Sequence, residues 1–217
     1  SWILGQIEAQ AIASEDMFEL SGTKCFVTDA DAADFYIVSV NVEAKARLVL
    51  VKREQIPEGN LHREIVIDET RRSYQLDLDG IMVPVDQLLE GSDFQTIEFA
   101  SLLLLSAEIT GGLVGSIQTI VEYLNTRRAF DKVIGSYQAL KHPTVKILLD
   151  LEASRSHLYH AATVLAVDNA GEAEIALRMA KSHGSAAFAF AGDRAVQFHG
   201  GFGFTYECDA QLYLRRA

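Results

Sequence analysis

Short apolar runs separated by turn-forming residues dominate the first 90 positions of the chain. The runs are rich in β-branched and aromatic residues and are bounded by polar ones, which is the pattern of strands. Candidate strands lie at 17–27, which contains a Ser-Gly turn at 21–22, and at 35–40, 47–51, 62–67 and 74–83, with turn signals at 28–31 and 57–60. Short strands at this spacing predict a small antiparallel barrel or sandwich.

The second half of the chain carries apolar residues at helical spacing. A long stretch from Phe94 to Thr126 is interrupted by the glycines of 111–115. Each glycine weakens a helix by about 1 kcal/mol relative to alanine but lets another backbone or a ligand come close. Further helices are predicted over 137–167, from about Glu172 to Phe198, and within 206–216. Long helices joined by short turns predict an antiparallel bundle.

The composition excludes several classes of protein. With 49% hydrophobic and 23% charged residues in 217, the chain has the composition of a folded domain and not of a disordered one. A net charge of −11 disfavours binding to nucleic acid or anionic membranes, because attraction to phosphate needs clustered Lys and Arg. Cys25 and Cys208 lack the spacing of a disulfide framework or a zinc site, which favours a reducing, cytoplasmic location.

No segment has the pattern of a signal peptide or a membrane span. The most apolar run, 99–107, is nine residues long, whereas a spanning helix needs about 20. We therefore predict no membrane insertion. Because the chain opens on Ser1 and stops on Ala217 as if both ends continued, we expect the sequence to be incomplete.

Two stretches of the helical half combine residue types that bind anions. In 197–205 (QFHGGFGFT) successive glycines follow a helix, and such a turn can cradle an anionic or polar ligand edge. In 127–138 (RRAFDKVIGSYQ) arginine offers a planar fork for phosphate, phenylalanine a stacking face and glutamine a two-way amide. Taken singly, the first is also typical of a glycine helix cap and the second of a solvated basic helix end.

The strand half contributes one candidate, and the histidines contribute none. Phe26 and Thr28 are two residues apart, so on a regular strand they share a face that suits a bound ring, although two core-facing residues would look the same. His157 and His160 are three residues apart, but no carboxylate is placed as a third ligand. We therefore predict no metal site.

Together, and in this order along the chain, these stretches resemble the acyl-CoA dehydrogenase family. The resemblance covers nearly the whole chain, and 206–217 is similar to the end of shorter members from actinobacterial sterol and fatty-acid catabolism. It implies an α+β fold, with an antiparallel middle β-barrel domain at 1–91 and an antiparallel four-helix bundle at 92–217. The family's amino-terminal helical domain has no counterpart in this sequence.

The resemblance also implies a cofactor, a substrate and partners. FAD would be held where two subunits meet, with Phe26 beside the isoalloxazine ring and Thr28 at its N5. The resemblance implies that the pyrophosphate and adenosine, usually of the neighbouring subunit's flavin, are gripped by Arg127, Phe130, Gln138, Gln197, Gly200 and Gly201. The substrate would be an acyl-CoA, the assembly a homo- or hetero-oligomer with another chain of this kind, and the electron acceptor another flavoprotein.

The sequence departs from the family pattern at two points. Asp131 stands where the motif usually has glycine, and a carboxylate near Arg127 could neutralise it. The family reaction also needs a carboxylate base in a dry cleft, with its pKa raised by desolvation. One family position for this base lies beyond Ala217, and the other, counted back from Arg127, falls on Ser101. Glu98, one helical turn away, is the candidate base, although a surface carboxylate would look the same.

Two functions from different classes stay open. In the first, the chain is a subunit of a FAD-dependent acyl-CoA dehydrogenase that catalyses α,β-desaturation itself. In the second, it is a non-catalytic structural partner that completes a flavin site while another chain carries the base. A flavin monooxygenase or an acyl-CoA oxidase is a more distant possibility, which product analysis would separate.

Overall fold

The structure is a computed structural model that describes residues 6–89, 94–167 and 170–217. The chain divides into two compact units between Phe94 and Gln95. The predicted domain boundary between residues 91 and 92 lies outside the described residues. The first unit is built of strands and the second of helices, so the predicted α+β class and the order of the two parts are confirmed.

The strands of the first unit form two sheets. One has six strands in the order β8-β2-β1-β4-β5-β9, and the other has three in the order β3-β7-β6. Neighbouring strands pair antiparallel, except for a single parallel pairing of β1 with β4. The bounds are β1 Gln10–Ser14, β2 Met17–Ser21, β3 Thr23–Thr28, β4 Phe35–Val42, β5 Lys45–Lys52, β6 Leu61–Glu64, β7 Ser73–Asp77, β8 Ile81–Pro84 and β9 Leu88–Leu89.

Two glycines join these sheets at a corner. The stretch 17–27 forms two strands that meet at Gly22, in the predicted Ser-Gly turn, with φ of 104°. The predicted strand 74–83 is also two strands, broken at Gly80, which has φ of 80°. The chain passes from one sheet to the other at each break, and the N–H of Leu78 donates to the carbonyl of Gly22 over 2.8 Å. Because only glycine adopts such φ values without strain, the two breaks curl the sheets around a shared core.

The core of the first unit follows from strict alternation along its longest strands. In β4, Tyr36, Val38 and Val40 are buried, while Phe35 and Ile37 face outwards and are exposed. The fully buried side chains from both sheets are Leu20, Val40, Val49, Val51, Leu76, Leu78, Ile81 and Val83. Burial of such side chains contributes about 1.5–3 kcal/mol each and stabilises the curled arrangement.

The turn between β4 and β5 offers a test of backbone strain. Glu43 and Ala44 form a two-residue loop with φ of 48° and 62°, the left-handed values of a hairpin turn that favours Asn-Gly. We expect Ala44→Gly to raise the free energy of unfolding by roughly 0.5–1 kcal/mol, measured by urea denaturation, because it removes left-handed strain. The control Ala46→Gly, within β5, should lower it, and a decrease for both variants would contradict the prediction.

The second unit consists of three long helices and a short one. Their bounds are α1 Phe94–Thr126, α2 Gln138–Ala166, α3 Ala170–His199 and α4 Ala210–Arg216, with the two-stranded hairpin β10 Arg128–Ala129 and β11 Lys132–Val133 between α1 and α2. Phe99 lies in one core cluster with Val164 and Leu177, and Ile120 in another with Ile147. The starts of α1 and α3 therefore meet the end of α2, so α2 runs antiparallel to both, as the sequence predicts.

By length and composition alone, α1 could cross a membrane. An 18-residue window of this helix has a mean hydropathy of 1.6, and 22% of that window is buried within the chain. The nine-residue run considered in the sequence therefore understates its apolar length, because serine, threonine and glycine continue it. The core helix of a soluble protein passes the same criterion, and α1 packs Phe99, Leu113 and Ile120 into the helical core.

Candidate functional site

A groove of about 600 Å³ opens where α1 and α3 end. It brings together three of the residues that the sequence singles out, Arg127, Gly200 and Gly201. The complete lining is Tyr123, Thr126, Arg127, Ile134, Phe198, His199, Gly200, Gly201 and Phe202. Because α1 and α3 run in the same direction, their carboxyl-terminal ends meet here.

The glycine loop forms one wall of this groove. Helix α3 ends at His199, Gly200 turns the chain with φ of 60°, and the N–H of Gly203 donates back to the carbonyl of Gly200 over 2.9 Å. A Cβ at Gly200 or Gly201 would meet no atom within 4 Å, whereas at Gly203 it would lie 2.3 Å from the carbonyl oxygen of Val196. Gly203 therefore holds the loop against α3, and Gly200 and Gly201 face open space.

Arg127 supplies the positive charge of the groove. Its N–H donates to the carbonyl of Tyr123 over 2.9 Å, which places it directly after the last turn of α1. Among residues 94–167 and 170–217, the Arg127 guanidinium forms no ion pair, with Asp131 or with any other carboxylate. Its charge is therefore available to an anion in the groove.

The hairpin after Arg127 explains the aspartate that departs from the family pattern. Phe130 and Asp131 are the two loop residues between β10 and β11, with φ of 52° and 61°. Aspartate tolerates this left-handed conformation better than most residues, so it can replace the usual glycine. The side chain of Phe130 is 89% exposed and does not line the groove.

The two predicted glutamines lie near the groove elements but not in its lining. Gln138 is the first residue of α2, and Gln197 lies on the last turns of α3; both are exposed. Of the six residues predicted to hold the pyrophosphate and adenosine, the groove unites Arg127, Gly200 and Gly201, and its lining does not include Phe130, Gln138 or Gln197. The binding roles of all six stay predictions.

Tyr123 and His199 are polar groove residues that were not predicted as site residues from the sequence. The rings of Tyr123 and His199 stack with centroids 4.0 Å apart and an interplanar angle of 28°. The Nδ1 atom of His199 lies 2.7 Å from the carbonyl oxygen of Ala195, and His199 is 6% exposed. One signal was available for Tyr123, because it precedes Arg127 by four residues and so shares its helical face.

In the first unit, the strand that carries Phe26 and Thr28 is not regular. The register of β3 against β7 shifts between Lys24 and Val27, and Phe26 has φ of 57° in the resulting bulge. The Phe26 N–H donates to Glu64 Oε2 over 2.9 Å. The simple alternation from which we predicted a shared face is therefore interrupted between Phe26 and Thr28.

Thr28 lines a separate groove of about 380 Å³ in this unit, and Phe26, which is 73% exposed, does not. Lys24 lies in the same groove and donates to Ser39 Oγ over 3.0 Å. Burial lowers the pKa of Lys24, because the charged amine loses part of its hydration.

The candidate base Glu98 forms an ion pair. Its Oε1 accepts from Arg178 Nη2 over 2.9 Å, and Arg178 Nε donates to Glu174 over 2.8 Å. The hydrogen bonds that Arg178 donates to Glu174 and, to a lesser extent, to Glu98 raise the pKa of Arg178. Ser101, at the family position, is exposed, and the residues that line the two grooves include no carboxylate.

No set of three His, Cys, Asp or Glu side chains that could hold a metal lies together in the described parts of the chain. His157 and His183 contact each other, with ring centroids 5.3 Å apart. The expected absence of a metal therefore stays a prediction.

The chain is similar in sequence to several acyl-CoA dehydrogenases. It is 35% identical to IpdE2 of Mycobacterium tuberculosis over 115 residues, 53% of this chain and 34% of that protein. It is 38% identical to FadE34 of the same organism over 124 residues, which are 57% of this chain and 17% of that protein. It is 29% identical to FadE12, also from this organism, over 200 residues, which are 87% of this chain and 51% of that protein. The chain thus spans 17–51% of the length of these relatives.

Solved structures of the same kind share its fold. Butyryl-CoA dehydrogenase from Megasphaera elsdenii superposes with a TM-score of 0.86 at 20% identity, over 99% of this chain and 59% of that one. A chain of the ChsE4–ChsE5 complex from Mycobacterium tuberculosis superposes with a TM-score of 0.84 at 25% identity, over 97% of this chain and 57% of that one. Residues 103–217, more than half of the chain, match the profile described as the acyl-CoA dehydrogenase C-terminal domain. The chain therefore belongs to the acyl-CoA dehydrogenase family.

Proposed function

We propose that the chain is a subunit of a FAD-dependent acyl-CoA dehydrogenase, an oxidoreductase that desaturates an acyl-CoA thioester between its α and β carbons. The observation that carries the proposal is the groove at the ends of α1 and α3, in which Gly200 and Gly201 face open space and Arg127 forms no ion pair with any residue that the structure describes. A chain of net charge −11 repels a diphosphate in general, so a local cation and an open backbone are what such a ligand needs.

The residues of the groove fit the diphosphate part of FAD. Arg127 offers a planar fork to phosphate oxygens, and the glycines leave room for close approach. Phe130, Gln138 and Gln197 would extend this grip to the adenosine of the same flavin, usually the neighbouring subunit's. Phe26 and Thr28 would contact the ring system of a different FAD molecule. When bound, FAD accepts the hydride that leaves the β-carbon of the substrate.

Arg127→Ala tests the cofactor assignment. We expect the purified protein to retain at least tenfold less flavin per chain, measured by absorbance after heat release, because a charge-assisted hydrogen bond contributes about 1.5–3 kcal/mol. Arg128→Ala is the matched control, since Arg128 is exposed, bonds the carbonyl of Asp131 over 2.9 Å and does not line the groove. Equal flavin in all three proteins would discredit the assignment.

The alternative, a non-catalytic partner that completes a flavin site, is favoured by one specific observation. Glu98 is paired with Arg178, and the described residues that line the two grooves include no carboxylate. The catalytic base would then come from another chain. The likeness to a chain of the ChsE4–ChsE5 complex, a hetero-complex by its name, supports this arrangement. In the first function, Glu98 or a carboxylate beyond the given sequence would take the α-proton.

Glu98→Gln tests whether Glu98 is the catalytic base. Because Arg178 holds the Glu98 carboxylate, we expect acyl-CoA-dependent dye reduction by the assembled enzyme to be unchanged by this substitution. Arg178→Gln breaks the same ion pair while keeping the carboxylate, so it reports any purely structural effect. Abolished turnover in Glu98→Gln with normal turnover in Arg178→Gln would identify Glu98 as the base instead.

The remaining proposals concern the assembly. The chain would act as a homo- or hetero-oligomer with another acyl-CoA dehydrogenase-like chain, and it would pass electrons to an acceptor flavoprotein. Its cysteines are both free, Cys25 exposed and Cys208 buried, which supports a reducing, cytoplasmic location. Flavin content and dye reduction, measured with and without the second chain, test the assembly.

A further inference from the structure

His199 is held in a single orientation inside the groove. Its ring stacks on Tyr123, and its Nδ1 lies 2.7 Å from the carbonyl oxygen of Ala195, one turn earlier in α3. The Tyr123 hydroxyl also approaches the backbone carbonyl of His199 at 3.5 Å. A ring fixed by a stack and a hydrogen bond presents its remaining edge in one direction.

The hydrogen bond to Ala195 decides which nitrogen carries the proton. A carbonyl oxygen only accepts, so Nδ1 must donate, and in the neutral ring Nε2 then carries the free lone pair. Within the described residues Nε2 has no hydrogen-bond partner, and His199 belongs to the groove lining. The groove therefore contains one acceptor beside its donors.

The groove offers few other polar partners. Among the described residues that line it, α1 contributes Tyr123 and Thr126, and Arg127 follows directly after α1. The segment before α2 contributes the apolar Ile134, and α3 contributes His199. With Nδ1 donating to Ala195, Nε2 is the edge of the neutral ring that can accept a hydrogen bond.

We propose that Nε2 of His199 accepts a hydrogen bond from a sugar or polyol hydroxyl of the ligand whose phosphates Arg127 binds. The groove then recognises a diphosphate ester of a polyol and discriminates against bare diphosphate. This inference rests on the proposed function, since FAD carries both a diphosphate and such hydroxyls. It adds a specificity-determining residue that the sequence motifs did not assign.

His199→Phe, which keeps an aromatic ring for Tyr123 and removes the acceptor, tests the proposal. Binding of FAD and of inorganic pyrophosphate is measured by calorimetry on the flavin-free protein in the assembly that it forms. We expect His199→Phe to weaken FAD binding by roughly 2- to 12-fold, the effect of one neutral hydrogen bond, and to leave pyrophosphate binding unchanged.

A second measurement does not depend on the variant folding. Nitrogen chemical shifts of the His199 ring in the wild type should show a protonated Nδ1 and an unprotonated Nε2, with Nε2 shifting when FAD binds. An unprotonated Nδ1, unchanged FAD binding in His199→Phe, or equal weakening of FAD and pyrophosphate would overturn the inference. Arg127→Ala distinguishes failure of this inference from failure of the proposed function. Loss of FAD binding in Arg127→Ala with normal FAD binding in His199→Phe overturns this inference alone. A wild-type protein that binds no FAD overturns the proposed function as well.

Discussion

Replacing Gly112 with alanine should lower the free energy of unfolding of the helical unit by about 1–3 kcal/mol. A Cβ at this position of α1 would lie 2.4 Å from Cζ of Phe188 on α3, well inside van der Waals contact. The Phe188 ring is 2% exposed and belongs to the helical core, so it has no solvent to move into. The added methyl group must therefore push α1 and α3 apart.

The neighbouring glycine provides the control for this prediction. A Cβ at Gly111 would meet no atom within 4 Å, so Gly111→Ala should raise the free energy of unfolding by about 1 kcal/mol through helix propensity alone. The double variant Gly112→Ala with Phe188→Leu should recover part of the lost stability. Urea denaturation of the variants measures these effects, and shifts of the same sign for Gly111→Ala and Gly112→Ala would show that the contact with Phe188 carries no weight.

The sequence predicted the elements of the fold where the signal is local. The periodic stretch 94–126 coincides with the bounds of α1, because helical spacing and turn residues lie within a few positions of each other. The division of 74–83 into β7 and β8 was missed, although Gly80 marks it. A glycine within a strand pattern is equally consistent with a bulge, a sharp bend between two sheets or a close contact with another backbone. Which of these forms depends on the strands that pair with it, and they are distant in sequence.

The bulge at Phe26 shows why local patterns misplace site residues. The left-handed Phe26 is stabilised by Glu64, whose Oε2 also accepts from the Ser73 hydroxyl over 2.7 Å. Phe26 and Glu64 are 38 positions apart, and Phe26, Glu64 and Ser73 belong to three different strands. Nothing in the local sequence of β3 reports that arrangement, so a regular alternation was the natural expectation.

The candidate site divides in the same way. Arg127, Gly200 and Gly201 could be predicted because each belongs to a recognisable stretch, and the structure places them on one groove. Tyr123 and His199 are 76 positions apart, and their stacking depends on α1 and α3 ending together. The pairing of Glu98 with Arg178 spans 80 positions, so the sequence could offer Glu98 as a base without showing that it is already paired.

Gly203→Ala should have the second large effect, because it disturbs fold and groove together. Its Cβ would lie 2.3 Å from the carbonyl oxygen of Val196 and 2.9 Å from Cβ of His199, both in the last turns of α3. Since backbone atoms of a helix cannot yield, the loop must lift away and lose the hydrogen bond from Gly203 to Gly200. We expect a loss of about 3 kcal/mol in the free energy of unfolding and at least a tenfold loss of bound flavin.

Gly201→Ala separates these two losses. Its φ is not left-handed and a Cβ there would meet no atom within 4 Å, so the melting temperature should be unchanged. The methyl group would nevertheless occupy the open space of the groove, so flavin content should fall. Thermal unfolding and flavin absorbance are measured on both variants. A Gly203→Ala protein with the wild-type melting temperature would contradict the packing argument. A Gly201→Ala protein with full flavin content would show that the ligand does not contact this wall of the groove. Gly203→Ala should therefore lower stability because Gly203 packs the loop against α3. Gly201→Ala should keep stability and lower flavin content because Gly201 leaves space for the ligand.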